Sequence, residues 1–238
     1  MPNWDNYPQV RPIGNKYPDF AAAGRTAANF SLSNKRSRLG LSGVLIDDVL
    51  VTGLTVGSLV STDSILMAFH HWRMKLTQKI GLNVSMHEAF CRTICLDKDK
   101  ERWTSRERLH WTYYCMARMT EERLPAMPVD PQLAIFERDA PKMTDGLRLQ
   151  FFEDFLVDAM AGRKFLISDS GLLCLGSGYA EYQDSICVLF GCPTPVLLRK
   201  RKDYYEYVGD VYVDGYMHGK AIDELKNGTR KLETFELR

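Results

Sequence analysis

A group of polar side chains near the end of the sequence has the types needed for general acid–base chemistry. Asp210, Tyr212 and Asp214 alternate along the chain, so a regular strand would point all three in the same direction. His218 and Lys220 follow within a few residues. Carboxylates, a phenol, an imidazole and an amine on one face can donate and accept protons in catalysis. The same alternation is also typical of the solvated outer face of a sheet, where such side chains form cross-strand ion pairs.

Four residues of this group, Asp210, Asp214, His218 and Lys220, are candidate catalytic residues, and His70 is the fifth. It lies in the segment His70-His71-Trp72, within a stretch of apolar residues at helical spacing. Adjacent residues on a helix point about 100° apart, so only one of the two histidines can face a given pocket. The alternative is a histidine on the polar face of the helix or at the edge of the core.

His87, Cys91 and Cys95 recur every four residues, so a helix would place them on one flank. Zinc accepts such ligands, but a closed zinc site needs a fourth ligand, usually from a second segment with paired spacing. We therefore interpret them as buried helix residues and predict no metal. We also predict no cofactor, because the sequence contains no Gly-x-Ser-x-Gly elbow, Walker loop or Rossmann glycine fingerprint.

The basic run Arg199-Lys-Arg-Lys202 lies between two apolar segments and is followed by Asp203. A charged hairpin tip is the favoured interpretation, with Arg199 reaching the acid–base candidates from a neighbouring strand. The whole chain carries 31 basic and 30 acidic residues, a net charge of +1. Dedicated nucleic-acid-binding domains normally carry a basic surplus, so we predict no nucleic-acid partner.

The elements that must position these residues follow an order of strands, helices and strands. Alternating apolar residues indicate strands between Asn29 and Val56, and short apolar runs separated by turn residues indicate strands after Gly162. Helical spacing predicts helices between them, the first capped by Thr62 or Asp63 and the second by Ser85 with Glu88 as its capping-box partner. This order predicts an α+β fold, in which the helical middle segment packs on an antiparallel β-meander or small barrel formed by the N-terminal and C-terminal strands.

The same pattern predicts a domain organisation. Residues 1–28, with four prolines before Phe20, are expected to form an extended arm. Residues 29–225 are expected to form a single α+β domain, mainly helical over 62–162 and mainly β over 163–215. The remaining residues, 226–238, are expected to form a polar C-terminal tail.

Three segments carry a resemblance to a known family. They are Leu41-Ser-Gly-Val-Leu-Ile-Asp-Asp-Val49, Glu88-Ala-Phe-Cys-Arg-Thr-Ile94, and the β-rich block between Phe165 and Gly215. In order and spacing they resemble the C-terminal region of fungal heterokaryon-incompatibility (HET) proteins, over most of the chain. The sequence departs from the family pattern at Gln183, where the family has Gly, and at Asp214 and Lys220, where it has His and Glu.

The resemblance implies two alternative functions. The family's effector portion is an N-terminal domain with a fold like the Toll/interleukin-receptor module, and nothing here resembles it. We therefore expect a stand-alone HET-type C-terminal module, an interaction or regulatory protein in fungal non-self recognition, with a protein partner. The alternative is a cofactor-independent cyclase, isomerase or hydrolase of fungal secondary metabolism that acts on a natural-product intermediate. An enclosed apolar pocket containing at least two of the five candidate residues would favour the enzyme.

The sequence also predicts a cytoplasmic protein. Met1 to Phe20 contains no apolar segment of the secretory type, and no apolar run approaches the roughly 20 residues of a membrane helix. The six cysteines lie in apolar or helical surroundings and are expected to be reduced. We predict no membrane partner, and the oligomeric state is unknown from the sequence.

Overall fold

The backbone forms two compact units, one mainly helical and one mainly β. One unit contains the described residues of Gly53–Arg163, and the other those of Val10–Thr52 and Lys164–Arg238. The predicted domain, 29–225, contributes residues to both units. The computed structural model describes residues 13, 20–32, 37–57, 61–80, 83–98, 104–128, 130–131, 133 and 144–238. The predicted arm, 1–28, therefore lies mostly outside the described residues.

The helical unit contains three longer helices followed by a helical stretch of mixed type. Each of the longer helices begins after a polar residue whose side chain accepts a backbone N–H, namely Ser61, Asn83 and Thr104. The predicted caps Thr62 or Asp63 and Ser85 are therefore wrong by one or two positions. The helical elements are α1 (Thr62–Lys79), α2 (Val84–Ile94), α3 (Ser105–Arg123), α4 (Asp145–Phe151), a π-helical segment (Phe152–Val157) and α5 (Asp158–Met160).

Aromatic side chains form the centre of the helical unit. Four aromatic side chains are fully buried, those of Phe69, Trp72, Phe90 and Tyr113. The centroid of the Phe69 ring lies 5.7 Å from that of the Phe90 ring and 6.0 Å from that of the Tyr113 ring. Pairs of aromatic rings at such distances stabilise the fold by more than the burial of their apolar area alone. In the part of the chain that the structure describes, no helix is long and apolar enough to cross a membrane.

The β unit consists of an irregular ring of strands. Its elements are β1 (Phe30–Leu32), β2 (Leu39–Thr52), β3 (Arg163–Ser168), β4 (Leu173–Ser177), β5 (Ser185–Leu189), β6 (Val196–Lys200), β7 (Tyr205–Val213), α6 (Lys220–Lys226) and β8 (Glu233–Leu237). In the sheet, the strands follow one another in the order β2, β3, β4, β7, β6 and β5, and β5 pairs back with β2. The final strand, β8, pairs antiparallel with β2 and parallel with β7, so the ring is not a regular barrel.

These strands confirm the predicted α+β class. The long strand β2 precedes the helices, whereas β5 and β8, with which it pairs, follow them. The sheet is therefore formed by N-terminal and C-terminal segments together, as expected. The segment 226–238, expected to be a polar tail, contains β8, whose Phe235 is only 1% exposed. Because Phe235 is surrounded by polar Glu233, Thr234 and Glu236, a search for apolar runs does not detect this strand.

Two apolar cores lie on opposite faces of β5 and β6. Side chains alternate between the faces of a strand, so Ile186 and Val188 join one core while Cys187 and Leu189 join the other. The first core is the larger and includes apolar residues of β2, β3, β4 and β7. The second core is closed by Phe235 of β8.

Candidate functional site

The structure brings together part of the predicted acid–base group. The Tyr212 hydroxyl donates a hydrogen bond to Oδ1 of Asp214 at 3.3 Å. The Phe20 ring centroid lies 6.0 Å from that of Tyr212 and 5.8 Å from that of His218. Tyr212 is buried, Asp214 is half-buried and His218 is exposed. Phe20 therefore lies against both the tyrosine and the histidine of the predicted group.

Asp210 has a different environment. Its carboxylate is buried and accepts the backbone N–H of Ile13. The strand places Asp210 opposite Val196 of β6. A carboxylate bound in this way supports the backbone at Ile13.

Lys220 belongs to a cluster built around Tyr216 and Arg230. Its Nζ lies 4.3 Å from the centroid of the Tyr216 ring and 3.9 Å from a carboxylate oxygen of Glu224. Arg230 donates to Glu224 at 2.6 Å and to the carbonyl oxygen of Leu45 at 2.8 Å. The pairing of β2 with β5 shifts register next to Leu45, and Arg230 supplies hydrogen bonds at that irregularity.

The cluster of Tyr216, Glu224 and Arg230 has no signal in the linear sequence. Its members are separated by six to eight residues and lie in α6 and the turns around it. Only the fold of this segment brings them to β2.

Arg199 is engaged elsewhere than expected. Its guanidinium forms two hydrogen bonds to the carboxylate of Asp184, at 2.8 Å and 3.0 Å, and donates to the carbonyl oxygen of Tyr179. Asp184 is only 1% exposed. Removing Arg199 would leave the buried Asp184 carboxylate without its ion-pair partner, so this pair is structural. The prediction that Arg199 joins the acid–base candidates is not supported by these contacts.

His70 lies in the helical unit, where its Nε2 is 2.9 Å from the Thr120 hydroxyl. Burial, followed by the positive charge of Arg73, lowers the pKa of His70 to about 4. A general base works best when its pKa is near the working pH. An imidazole that is neutral and weakly basic at neutral pH is therefore suited to bonding Thr120 rather than to proton transfer.

The helical unit also contains a buried histidine, His87, next to Tyr113. The His87 Nδ1 atom forms a hydrogen bond with the Tyr113 hydroxyl, and burial and Arg73 lower the pKa of His87 to about 4 as well. Burial raises the pKa of the Cys95 thiol to about 11. Among the described residues, no group of three or more His, Cys, Asp or Glu side chains has the geometry of a metal site.

A groove of about 660 Å³ continues the second core to the surface of the β unit. Its apolar lining includes Leu189 and Val196, which also belong to the second core. Leu32 and Tyr207 line it while remaining 57% and 60% exposed, so the groove is open to solvent. Of the five candidate catalytic residues, Asp210 alone is among the described residues that line it. Sequence reasoning missed this groove because its lining comes from distant segments.

The geometry defines a class of protein: a small, irregular antiparallel β-ring with a helical segment inserted between its strands in sequence. Residues 138–231 match the family model of the Het-6 beta-barrel domain. The match includes β3 to β7 and confirms the resemblance to the C-terminal region of HET proteins over this part of the chain. No curated protein and no solved structure matches the chain significantly.

Proposed function

We propose that this chain is a HET-type C-terminal module that binds a protein partner and regulates fungal non-self recognition. The observation that carries the proposal is the open apolar groove beside the exposed strand β1. Contiguous apolar surface that remains exposed in a folded protein is typical of interaction sites. The Het-6 beta-barrel match over residues 138–231 supports a relation to HET proteins, and the role in non-self recognition is part of the proposal.

Binding is better supported than catalysis. An enzymatic site needs convergent polar groups in a pocket that excludes water. The groove is open, and Asp210 is the only one of the five candidates among its described lining residues. Lys220 and His70 have structural contacts of their own. The alternative, an enzyme of secondary metabolism, therefore has less support from the described residues.

We further propose that the protein acts in the cytoplasm. All six cysteines are free, and five of them are buried. Burial raises the pKa of Cys115 to about 12, which keeps this thiol protonated and unreactive. Such thiols are compatible with a reducing compartment.

The test is a cell-fusion assay in a filamentous fungus whose own copy of the gene is deleted. The strain is complemented with the full chain, with Leu32→Glu, or with Leu232→Glu. Leu32 lines the groove and Leu232 does not, while both leucines are more than half exposed. We expect wild type and Leu232→Glu to restore the incompatibility response after fusion, and Leu32→Glu to fail.

Two outcomes would contradict the proposal. If deletion leaves the response after fusion unchanged, the chain has no role in non-self recognition. If Leu32→Glu restores the response as well as wild type, the groove does not carry the function. Protein levels are compared by immunoblot so that loss of the variant is not mistaken for loss of binding.

A further inference from the structure

We propose that the groove and strand β1 together bind an extended peptide segment of the partner, in which apolar residues are followed by acidic residues. This inference rests on the proposed function, because it names the chemistry of the partner. It depends on three features of the β unit: an exposed strand, the groove beside it, and the basic residues at its rim.

Strand β1 has the properties of an edge to which another strand can be added. It pairs with β2 and lies at the end of the strand order in the described sheet. Phe30 and Leu32, which point to the same side of the strand, are 63% and 57% exposed. A peptide added to this edge would obtain affinity from main-chain hydrogen bonds and specificity from its alternate side chains.

The groove is suited to receive those alternate side chains. Leu32 of β1 lines it directly, and its floor includes Leu41, Leu189 and Val196. A cavity of roughly 150 Å³ is enough for one benzene-sized group. A groove of about 660 Å³ therefore accommodates several apolar side chains.

The rim of the groove carries an excess of positive charge. Arg38 and Arg238 line the groove, and Nη1 of Arg38 donates to the carbonyl oxygen of Asp203 at 3.1 Å. Asp203 belongs to the hairpin between β6 and β7, so this contact places the hairpin next to the groove. A second contact does the same, because the guanidinium of Arg238 lies 5.6 Å from the ring of Tyr204 in that hairpin. This part of the chain contributes five basic residues, Arg38, Lys200, Arg201, Lys202 and Arg238, against four acidic residues, Asp203, Glu206, Asp210 and Glu236. Two of the acidic residues form ion pairs within the group, Asp203 with Arg38 and Glu206 with Arg201.

This charge determines the occupant that we propose. A second copy of the chain would bring an identical basic rim against this one in a two-fold interface, which is unfavourable. A small amphipathic molecule would fill the groove but leave Phe30 and the edge of β1 exposed. An acidic extended peptide satisfies the apolar groove, the strand edge and the basic rim together. Three residues of the basic run singled out in the sequence, Lys200, Arg201 and Lys202, thereby contribute to partner recognition.

The experiment measures peptide binding to the full chain by fluorescence anisotropy. The probes are fluorescein-labelled Val-Thr-Val-Thr-Val-Asp-Glu-Asp and its charge-reversed counterpart Val-Thr-Val-Thr-Val-Lys-Arg-Lys. Each is titrated with wild type, with the groove variants Leu32→Glu and Arg238→Glu, and with the matched controls Leu232→Glu and Lys231→Glu. The four positions are exposed, so each variant is expected to fold, and near-ultraviolet circular dichroism checks this.

We expect the acidic peptide to bind wild type at least about tenfold more tightly than the basic one, with the preference decreasing as salt is added. Both groove variants should weaken acidic-peptide binding by about tenfold or more, and both controls by less than about twofold. Equal binding of the two peptides, or equal loss in the groove variants and the controls, would overturn the inference. So would a wild-type dimer in sedimentation analysis that Leu32→Glu dissociates, since a second copy would then occupy the groove.

The two proposals fail separately. If neither peptide binds while Leu32→Glu still abolishes the response after fusion, the interaction function stands and the peptide chemistry is wrong. If the acidic peptide binds as expected but deletion of the gene leaves the response unchanged, the groove is a peptide site and the role in non-self recognition is wrong.

Discussion

At the scale of single residues, Gln183 adopts a backbone conformation that favours glycine. Its φ is +66°, and its N–H donates to the carbonyl oxygen of Val49 at 2.8 Å. The bond therefore keeps this left-handed conformation in the turn before β5. In this left-handed conformation the Cβ atom of a residue other than glycine crowds the backbone, which costs about 1–2 kcal/mol. This cost explains why the HET pattern has Gly at this position.

We predict that Gln183→Gly raises the free energy of unfolding by about 0.5–1 kcal/mol, because relief of strain exceeds the extra flexibility of glycine in the unfolded chain. Urea denaturation of both proteins measures the difference. The matched control is Gln78→Gly in α1, where the same exchange should lower stability by up to about 1 kcal/mol. A decrease in stability with Gln183→Gly would show that the side chain contributes more than the conformation costs.

Asp47, in the first of the three segments that resemble HET proteins, acts through hydrogen bonds. Its Oδ2 accepts the N–H of Ser170 at 2.9 Å and the hydroxyl of the same residue at 2.6 Å. Burial raises the pKa of Asp47, but hydrogen bonds from Ser170, Ser168 and the backbone outweigh it, so the pKa is lowered. The ionised carboxylate therefore ties the turn between β3 and β4 to β2.

We predict that Asp47→Asn lowers the free energy of unfolding at pH 7 by about 1–2 kcal/mol, through loss of charge-assisted hydrogen bonds. Because the folded pKa lies below the unfolded value of about 3.9, the stabilisation is present above that pH and is lost as pH falls through the folded pKa. Urea titrations at several pH values should show the two proteins converging in acid. The control is exposed Asp169→Asn in the same turn, and an equal effect there would refute this interpretation.

At the scale of elements, the sequence predicted which segments are helical better than where each helix begins. Ser85 with Glu88 matches the capping-box spacing, yet α2 begins after Asn83, whose side chain accepts the N–H of Met86 at 2.9 Å. Ser and Asn are both good caps, so residue type alone does not choose between them. The choice depends on where the chain enters the helix, and that is a property of the packed structure.

The junction between α6 and β8 depends on Arg230, and we predict that Arg230→Lys lowers the free energy of unfolding by about 2 kcal/mol. The flat guanidinium contacts Glu224, Tyr216 and two carbonyl groups of β2 at once, and an ammonium group cannot reproduce this geometry. Chemical denaturation measures the loss. The control is Arg201→Lys, which alters an exposed pair with Glu206 and should leave stability unchanged. Equal effects of the two variants would contradict the structural role of Arg230.

At the scale of the whole molecule, local patterns predicted the α+β class and a meander or small barrel of N-terminal and C-terminal strands, but not which strands pair with each other. Strand β2 pairs with β3, β5 and β8, which lie more than a hundred residues further along the chain. Periodicity indicates that each strand exists and which face is apolar, but it does not specify such distant partners. The same limit applies to the candidate site. Alternation along one strand placed Tyr212 beside Asp214, as the structure has them, but it could not predict a groove lined by residues as distant as Leu32, Leu189 and Arg238.

The two compact units should respond differently when one core is damaged. Phe235 of β8 is 1% exposed, closes the second core and packs its ring 5.5 Å from that of Tyr205. We predict that Phe235→Ala costs about 3–5 kcal/mol, as for other buried aromatic residues. Hydrogen exchange should show lost protection in β2, β5 and β6 and retained protection in α1 and α3, because each unit has its own apolar core. Phe30→Ala, at a position that is 63% exposed, should leave exchange in both units unchanged. If α1 and α3 lose protection as much as the strands do, the two units unfold together.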